Sequence, residues 1–460
     1  MKKLLLFFLL LWLLGQHAGA EEVSSPTCVN NSSGIPDRGA LFDGDEKQSQ
    51  QLPSGASVTF SARDGVAGIY LVFDLPYGEV TLVEGTRAQR VDTGGLLHCY
   101  LDVRDCLGHA PRTVTLRFCS GEARLNELRI FSPGPLPEWV QRWEKIPPGE
   151  TDLLLLSAHG DDEQLFFAGL LPWYAAEQGK RVQVVYLTDH RNLVSYRVHE
   201  MLNGLWAVGV RDYPVFGPLP DYYTFSREAA YDYYQTQGYS RQAILAFVVE
   251  QLRRCRPLVA VGHDTEGEYG HGMHQLAAQV LMQGVEAAGE PEAFPESAAR
   301  YGTYQVPKTY LHLYGENPII MNWDIPLTHF PGKTAYQVTR DLGFAAHESQ
   351  WEDFAWYFQG ADRADEVEAY SPCRYGLYRS TVGPDTLAGD FFQNLPREPV
   401  PSVPSPSQAP RPRQPAADPG RNAREAWPAI PAAGTAALTA AAAYSAAKRR
   451  KENFWRKENF

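Results

Sequence analysis

Two apolar runs, each ending in a cluster of histidine and carboxylate, constrain this chain more than anything else in it. Leu153–Leu156 leads directly into Ser157-Ala158-His159-Gly160-Asp161-Asp162-Glu163, and Leu258–Val261 is soon followed by Gly267-Glu268-Tyr269-Gly270-His271-Gly272-Met273-His274. Short apolar runs bounded by turn residues read as buried strands of a parallel sheet. Each cluster also opens a helical pattern. Both therefore fall at the C-terminal ends of strands, the sheet edge where α/β proteins build their sites. His159, Asp162 and His274 form a candidate three-ligand set of the kind that leaves a metal position open for water.

The pattern is that of metal-assisted hydrolysis, in which bound Zn²⁺ lowers the pKa of water to ~7. Adjacent Asp161 and Asp162 cannot both point the same way from an extended turn, so one can bind metal while the other takes a proton. His271 and His274 share a face at a helix start. One can be a ligand while the other points at a developing oxyanion. Each motif alone has a plainer reading: an Asp-Asp after a strand is commonly a helix N-cap, and His-x-x-His is commonly a solvated helix face. Their conjunction, in this strand context, favours a site.

The two clusters resemble the first and last motifs, Ala-His-Pro-Asp-Asp-Glu and His-Pro-x-His, of the zinc-dependent N-deacetylases of N-acetylglucosamine-containing substrates, the PIG-L or LmbE-like family. Between them Tyr196-Arg197-Val198-His199-Glu200 resembles the family's Arg-x-x-Glu helix, and the likeness runs roughly from Asp152 to Gly284. The resemblance implies a Rossmann-like, mostly parallel α/β sheet with helices on both faces. It implies one Zn²⁺, with other divalent metals compatible, held by His159, Asp162 and His274. It further implies Asp161 as general base, His271 steadying the oxyanion, and Arg197 in contact with substrate. His271 is expected to act as an imidazolium. Asp221 resembles a sugar-contacting Asp of the family, although a solvated loop carboxylate is an equal reading. Asp189 ends a strand at the same sheet edge and is expected to line the pocket, and His263 is either support for the ligands or part of a structural pair. The chain departs from the family at Gly160 and Gly272, where proline is usual, which predicts a looser turn with the ligands untouched.

The chain has 460 residues, enough for about two domains, and a net charge of −12 from 42 basic and 54 acidic residues. That balance argues against a nucleic-acid partner. Residues 1–20 read as a secretory signal: Lys2-Lys3, the apolar run Leu4–Leu14, then Ala18-Gly19-Ala20. An extracytoplasmic protein follows. Cys28, Cys99, Cys106 and Cys119 then suggest two disulfides, while Cys255 and Cys373 could pair or stay free.

Residues 21–135 carry short alternating runs separated by turns, at Ala56–Ala62, Gly68–Phe73, Glu79–Val83, Leu97–Val103, Thr113–Cys119 and Asn126–Phe131. They predict an antiparallel β-sandwich, whose opening Leu41-Phe42-Asp43-Gly44 resembles that of galactose-binding-like domains. It could bind glycan, or serve as a packing domain. Residues 149–395 alternate as βαβα, which predicts the catalytic domain, with 217–234 as a substrate-covering loop. A Pro-rich linker spans 396–425, and a charge-free segment at 426–447 reads equally as membrane anchor or disordered tail. A basic tail covers 448–460. The leading expectation is an extracytoplasmic deacetylase acting on an N-acetylglucosamine-like sugar or glycoconjugate. The alternatives are a glycan-binding or adhesion protein with a degenerate hydrolase domain, and an amide hydrolase on a different sugar or thiol conjugate.

Overall fold

The computed structural model describes residues 19–395 apart from 193, 194, 359, 387 and 388. The expected signal up to residue 18, the Pro-rich linker, the 426–447 segment and the basic tail lie outside the described residues. Among the described residues, no helix is long and apolar enough to cross a membrane.

The N-terminal region forms β1 (Val29–Ser33), β2 (Gln50–Leu52), β3 (Ala56–Ser61), β4 (Gly68–Phe73), β5 (Glu79–Glu84), β6 (Arg87–Asp92), β7 (His98–Asp102), β8 (Thr113–Phe118) and β9 (Ala123–Phe131). They build two antiparallel sheets, β1-β3-β8-β5-β6 and β2-β9-β4-β7. Alternate residues such as Val58 and Phe60 of β3 and Val80 and Leu82 of β5 turn inward and are buried. The sequence pattern missed β1, β2 and β6. In β6, Arg87-Ala88-Gln89-Arg90-Val91-Asp92, almost every residue is exposed, so an edge strand paired only with β5 leaves no apolar alternation to read.

The expected disulfides are absent, for all six cysteines are free. The register explains one of the missing pairs. Val29 lies opposite Phe60 and Phe60 opposite Val114, whereas Phe118 lies opposite Ala56, so Cys28 and Cys119 flank opposite ends of one sheet. At ~3.4 Å per residue that separation is beyond any S–S bond. Cys99 is buried in the core of the sandwich.

The second region holds β10 (Leu153–Ser157), β11 (Val182–Thr188), β12 (Val215–Leu219), β13 (Val259–Gly262), β14 (Lys308–His312), β15 (Pro318–Ile320) and β16 (Arg374–Ser380). The sheet order is β12-β11-β10-β13-β14-β16-β15. Its first five strands are parallel and β16 is antiparallel to both neighbours. The chain works outward from β10 to β12, then returns to lay β13 on the other side of β10, leaving a crevice at that reversal. Both faces of β10 are apolar because both are covered. Leu153 and Leu155 join Val198, Met201 and Leu205 of helix Tyr196–Ala207, whereas Leu154 and Leu156 join Val248 of helix Arg241–Cys255 and Leu276 of helix Gly272–Ala287. The stretch expected as a covering loop is partly regular: β12 takes its start, and Arg227–Thr236 is a helix capped by Ser226 Oγ, which accepts from Ala229 N at 3.3 Å. Its apolar face is made of Ala230, Tyr231 and Tyr234, so tyrosines hid its helical period.

The sandwich and the α/β region share one continuous core, which includes Leu71 and Leu128 of the first and Leu155 and Met201 of the second. Polar contacts reinforce it. Tyr70 Oη and His98 Nδ1 are 2.6 Å apart, and His98 Nε2 meets His199 Nδ1 at 2.9 Å. Asn203 donates to Glu46 Oε2 at 2.9 Å, and Leu97 N donates to Tyr213 Oη at 3.1 Å. Burial, followed by the neighbouring His199, pushes the His98 ring well below the ordinary histidine range. An unfolded chain therefore takes up a proton here below about pH 6.5, so this stability is full above that pH and is lost as pH falls, at about 1.4 kcal/mol per unit. We expect denaturant unfolding of His98→Gln to show a shallower loss of stability than the parent between about pH 6.5 and 5. Parallel slopes would remove His98 as their source.

Candidate active site

Ser157 ends β10, and the turn that follows carries His159 and Asp161 before helix Asp162–Leu165 begins. From β13 the chain passes through the Glu268–Gly270 turn to His271 and the helix Gly272–Ala287, which brings in His274. Arg197 comes from helix Tyr196–Ala207, and Asp221 follows β12. The glycines at the two family proline positions have a steric reason. A Cβ on Gly160 would press on the flexible thioether of Met201, and one on Gly272 would lie 2.5 Å from the backbone carbonyl oxygen of Ser226. Gly272 N also donates to Thr224 O at 2.6 Å. Both glycines therefore have close neighbours, and the segment Thr224–Ser226 packs directly on the start of the helix that carries His274.

His159, Asp161, Asp162, His271 and His274 are all buried. His159 Nδ1 stands 3.2 Å from Asp162 Oδ2, His274 Nε2 stands 3.2 Å from Asp162 Oδ1, and the two ring nitrogens are 3.2 Å from each other. Ligands at 2.0–2.1 Å from a tetrahedral ion are spaced by about 3.3 Å, so the two ring nitrogens, each close to a different oxygen of Asp162, have a spacing compatible with Zn²⁺. Two overlapping groups of possible ligands adjoin it, His159-His271-His274 and Asp162-His263-His274. His263 is excluded as a donor because its Nε2 accepts from Ala158 N at 2.9 Å. That same Nε2 lies 3.4 Å from Asp162 Oδ2, and Nδ1 lies 2.8 Å from Glu268 Oε2. The field favours a cation: against burial, Asp162 and then Glu268 raise His274 to about 10. Against the same burial, His274 and His159 hold Asp162 well below the usual carboxylate range.

Asp161 stays outside the triangle. Burial raises its carboxyl, and Arg197, whose guanidinium lies 3.2 Å from Asp161 Oδ2, opposes the shift. Arg197 also donates to Gly160 O at 3.0 Å and lies 3.5 Å from Asp221 Oδ2. Asp221 Oδ1 is 3.5 Å from His159 Nε2. Burial alone would raise Asp221, but His159, His190 and Arg197 together hold it below its ordinary value. Asp189 is not among these contacts; both its oxygens are held by Arg191, at 2.8 and 2.7 Å. The ring of His271 packs 4.8 Å from that of His159 and 4.7 Å from that of His274, and its Nδ1 is buried without a hydrogen-bond partner. Burial, reinforced by His274 and His159, pushes it well below the histidine range. The expected imidazolium is therefore opposed by its surroundings.

Sequence reasoning passed over His190 and Glu268. His190 Nε2 accepts from Gly160 N at 3.3 Å, and burial lowers the ring to about 3, so it is a neutral prop for the turn. Glu268 Oε2 lies 2.7 Å from His274 Nδ1. Its place inside the second motif was the available signal, but a glutamate in a turn ordinarily reads as solvated.

A buried triangle of donors with a separate carboxylate beside it, at the C-terminal edge of a parallel sheet, is the arrangement that metal-dependent hydrolases use. Residues 154–285 match the PIG-L family, described as GlcNAc-PI de-N-acetylase, and the chain carries a PIG-L domain there. It is 30% identical over 198 residues to a 1D-myo-inositol 2-acetamido-2-deoxy-alpha-D-glucopyranoside deacetylase 1 of Catenulispora acidiphila, across 38% of this chain and 58% of the relative. A deacetylase of the same description from Geodermatophilus obscurus is 28% identical over 179 residues, across 34% of this chain and 60% of the relative. The chain thus spans less than two thirds of the curated relatives it matches. Among solved structures, the N,N'-diacetylchitobiose deacetylase of Pyrococcus horikoshii aligns at 16% identity and TM-score 0.34, covering 49% of this chain and 82% of that one.

The close packing on Gly272 makes a specific prediction. Gly272→Ala should force Thr224–Ser226 off the helix start and cost about 1–3 kcal/mol in denaturant unfolding. A variant as stable as the parent would show that the segment yields freely.

Proposed function

We propose that this chain is an extracytoplasmic, zinc-dependent deacetylase that hydrolyses the N-acetyl group of an N-acetylglucosamine-like sugar or glycoconjugate. The observation that carries the reading is the mutual 3.2 Å approach of His159, His274 and the two oxygens of Asp162, with Asp161 left beside them for proton transfer. His159, Asp162 and His274 would hold the ion, which when bound supplies a Lewis acid that makes water nucleophilic at neutral pH. Asp161 takes the proton of the attacking water and holds it for the leaving amine. Its raised carboxyl suits both duties. Arg197 aligns Asp161 and, with Asp221, offers paired charge and acceptor to sugar hydroxyls. His271, as a neutral ring, donates a hydrogen bond to the amide oxygen as charge develops there.

Location outside the cytoplasm rests on the residues 1–20. The strand order β12-β11-β10-β13-β14 supports the Rossmann-like reading. The core shared with the α/β region supports a packing role for the sandwich.

The test is acetate release by zinc-loaded protein from a panel of N-acetylated sugars, with metal content measured in parallel. Asp161→Asn should keep its zinc and lose at least ~10²-fold in rate, whereas Asp162→Asn and His274→Ala should lose the zinc. His271→Ala should retain zinc and lose ~10²–10³-fold in turnover. Stoichiometric zinc with no acetate from any N-acetylated sugar would move the reading to another amide, such as a thiol conjugate. Parent protein without zinc would favour a glycan-binding role.

A further inference from the structure

Behind His274, on the side away from the donor triangle, a single carboxylate gathers three imidazoles. Glu268 Oε2 lies 2.7 Å from His274 Nδ1 and 2.8 Å from His263 Nδ1, and Oε1 lies 2.7 Å from His312 Nδ1. Asp264 N donates to the same Oε1 at 3.3 Å. All four side chains are fully enclosed, with 0% exposure.

We propose that Glu268 is a positioning residue that locks His274 in the tautomer protonated at Nδ1, so that the Nε2 lone pair is presented to the metal. The inference rests on the reading of His274 as a ligand. An ionised carboxylate can only accept, so every ring nitrogen facing it must carry hydrogen. For His263 the other nitrogen agrees independently: Nε2 accepts from Ala158 N, which leaves the proton for Nδ1. His274 Nδ1 approaches Glu268 Oε2 at 2.7 Å without the alignment of a full hydrogen bond, and a proton kept there leaves Nε2, the atom 3.2 Å from both Asp162 and His159, to face the metal. His312 closes the account. Its Nε2 stands 3.0 Å from the carbonyl oxygen of Ser371, so the ring faces an acceptor on each side and donates from both nitrogens.

The backbone is bent to deliver this group. Gly267 and Gly270 have φ of 72° and 75°, and Tyr269, which has a side chain, has φ of 46°. A non-glycine residue held in the left-handed region is strained, and such strain persists only where the surroundings impose it. Here it turns Glu268 inward beneath the helix that carries His274.

Two measurements test the proposal. In Glu268→Gln the shape is kept, but one carboxylate oxygen becomes an NH₂ that cannot accept from a ring N–H. Zinc affinity, read by competition with a chromophoric chelator, should fall by about 10–100-fold, with far-UV circular dichroism unchanged. The second uses the parent protein and needs no variant to fold: long-range ¹⁵N–¹H spectra of histidine-labelled, zinc-loaded protein should show His274 protonated at Nδ1 and bound through Nε2. Unchanged affinity in Glu268→Gln, or His274 bound through Nδ1, overturns the inference while leaving the metal reading intact. Parent protein that takes up no zinc overturns the metal reading, and the inference with it.

Discussion

Parallel pairing of β10 with β13 is the constraint on which the rest of the site depends. The two strands lie far apart in sequence, yet the register Leu153↔Val259 and Leu155↔Val261 makes them run out at the same edge. From there one chain turns into His159, Asp161 and Asp162, and the other into Glu268, His271 and His274. Because both strands are buried on both faces, a one-residue slip would exchange the side chains packed against one helix layer for those packed against the other. The spacing of the donor atoms is thus set by apolar packing a few residues away, before any polar contact is made.

Polar contacts then divide the labour that packing makes available. His274 lies between two carboxylates, Asp162 on the cavity side and Glu268 behind. His263 bridges the same two from the flank. Asp161, one residue from Asp162, faces Arg197 instead, and the two neighbouring carboxyls are driven in opposite directions, Asp161 upward and Asp162 downward. Opposite shifts on adjacent groups are what separate a proton acceptor from a metal ligand.

Much of this was legible in the sequence because the decisive residues are contiguous. A short apolar run followed by His-Gly-Asp-Asp gives strand, turn and donors in one reading, and β4 was predicted at its observed ends, Gly68–Phe73. What was illegible lacked either contiguity or an apolar period. Glu268 is recognisable only once His312 arrives from β14 and His263 from β13. Helix Arg227–Thr236 buries tyrosines rather than aliphatic residues, and β6 is polar on both faces. Asp189 was placed correctly at a strand end, but nothing in the sequence reveals that Arg191 would grip both its oxygens. The close neighbours of Gly160 and Gly272 were hidden for a related reason: Met201 and Ser226 are remote in sequence.

Helix Tyr196–Ala207 belongs to two neighbourhoods at once. Arg197 reaches Asp161 on one side, while His199 and Asn203 reach His98 and Glu46 of the sandwich on the other. The boundary drawn by family likeness, 154–285, is therefore not a boundary of folding. A 154–285 segment cut away from the sandwich would leave His199 without its partner and open apolar surface against the very helix that brings Arg197 to Asp161. The segment that carries the family likeness is, in this chain, one part of a larger body with a shared core, and the sandwich acts as the wall on which the helix carrying Arg197 is hung.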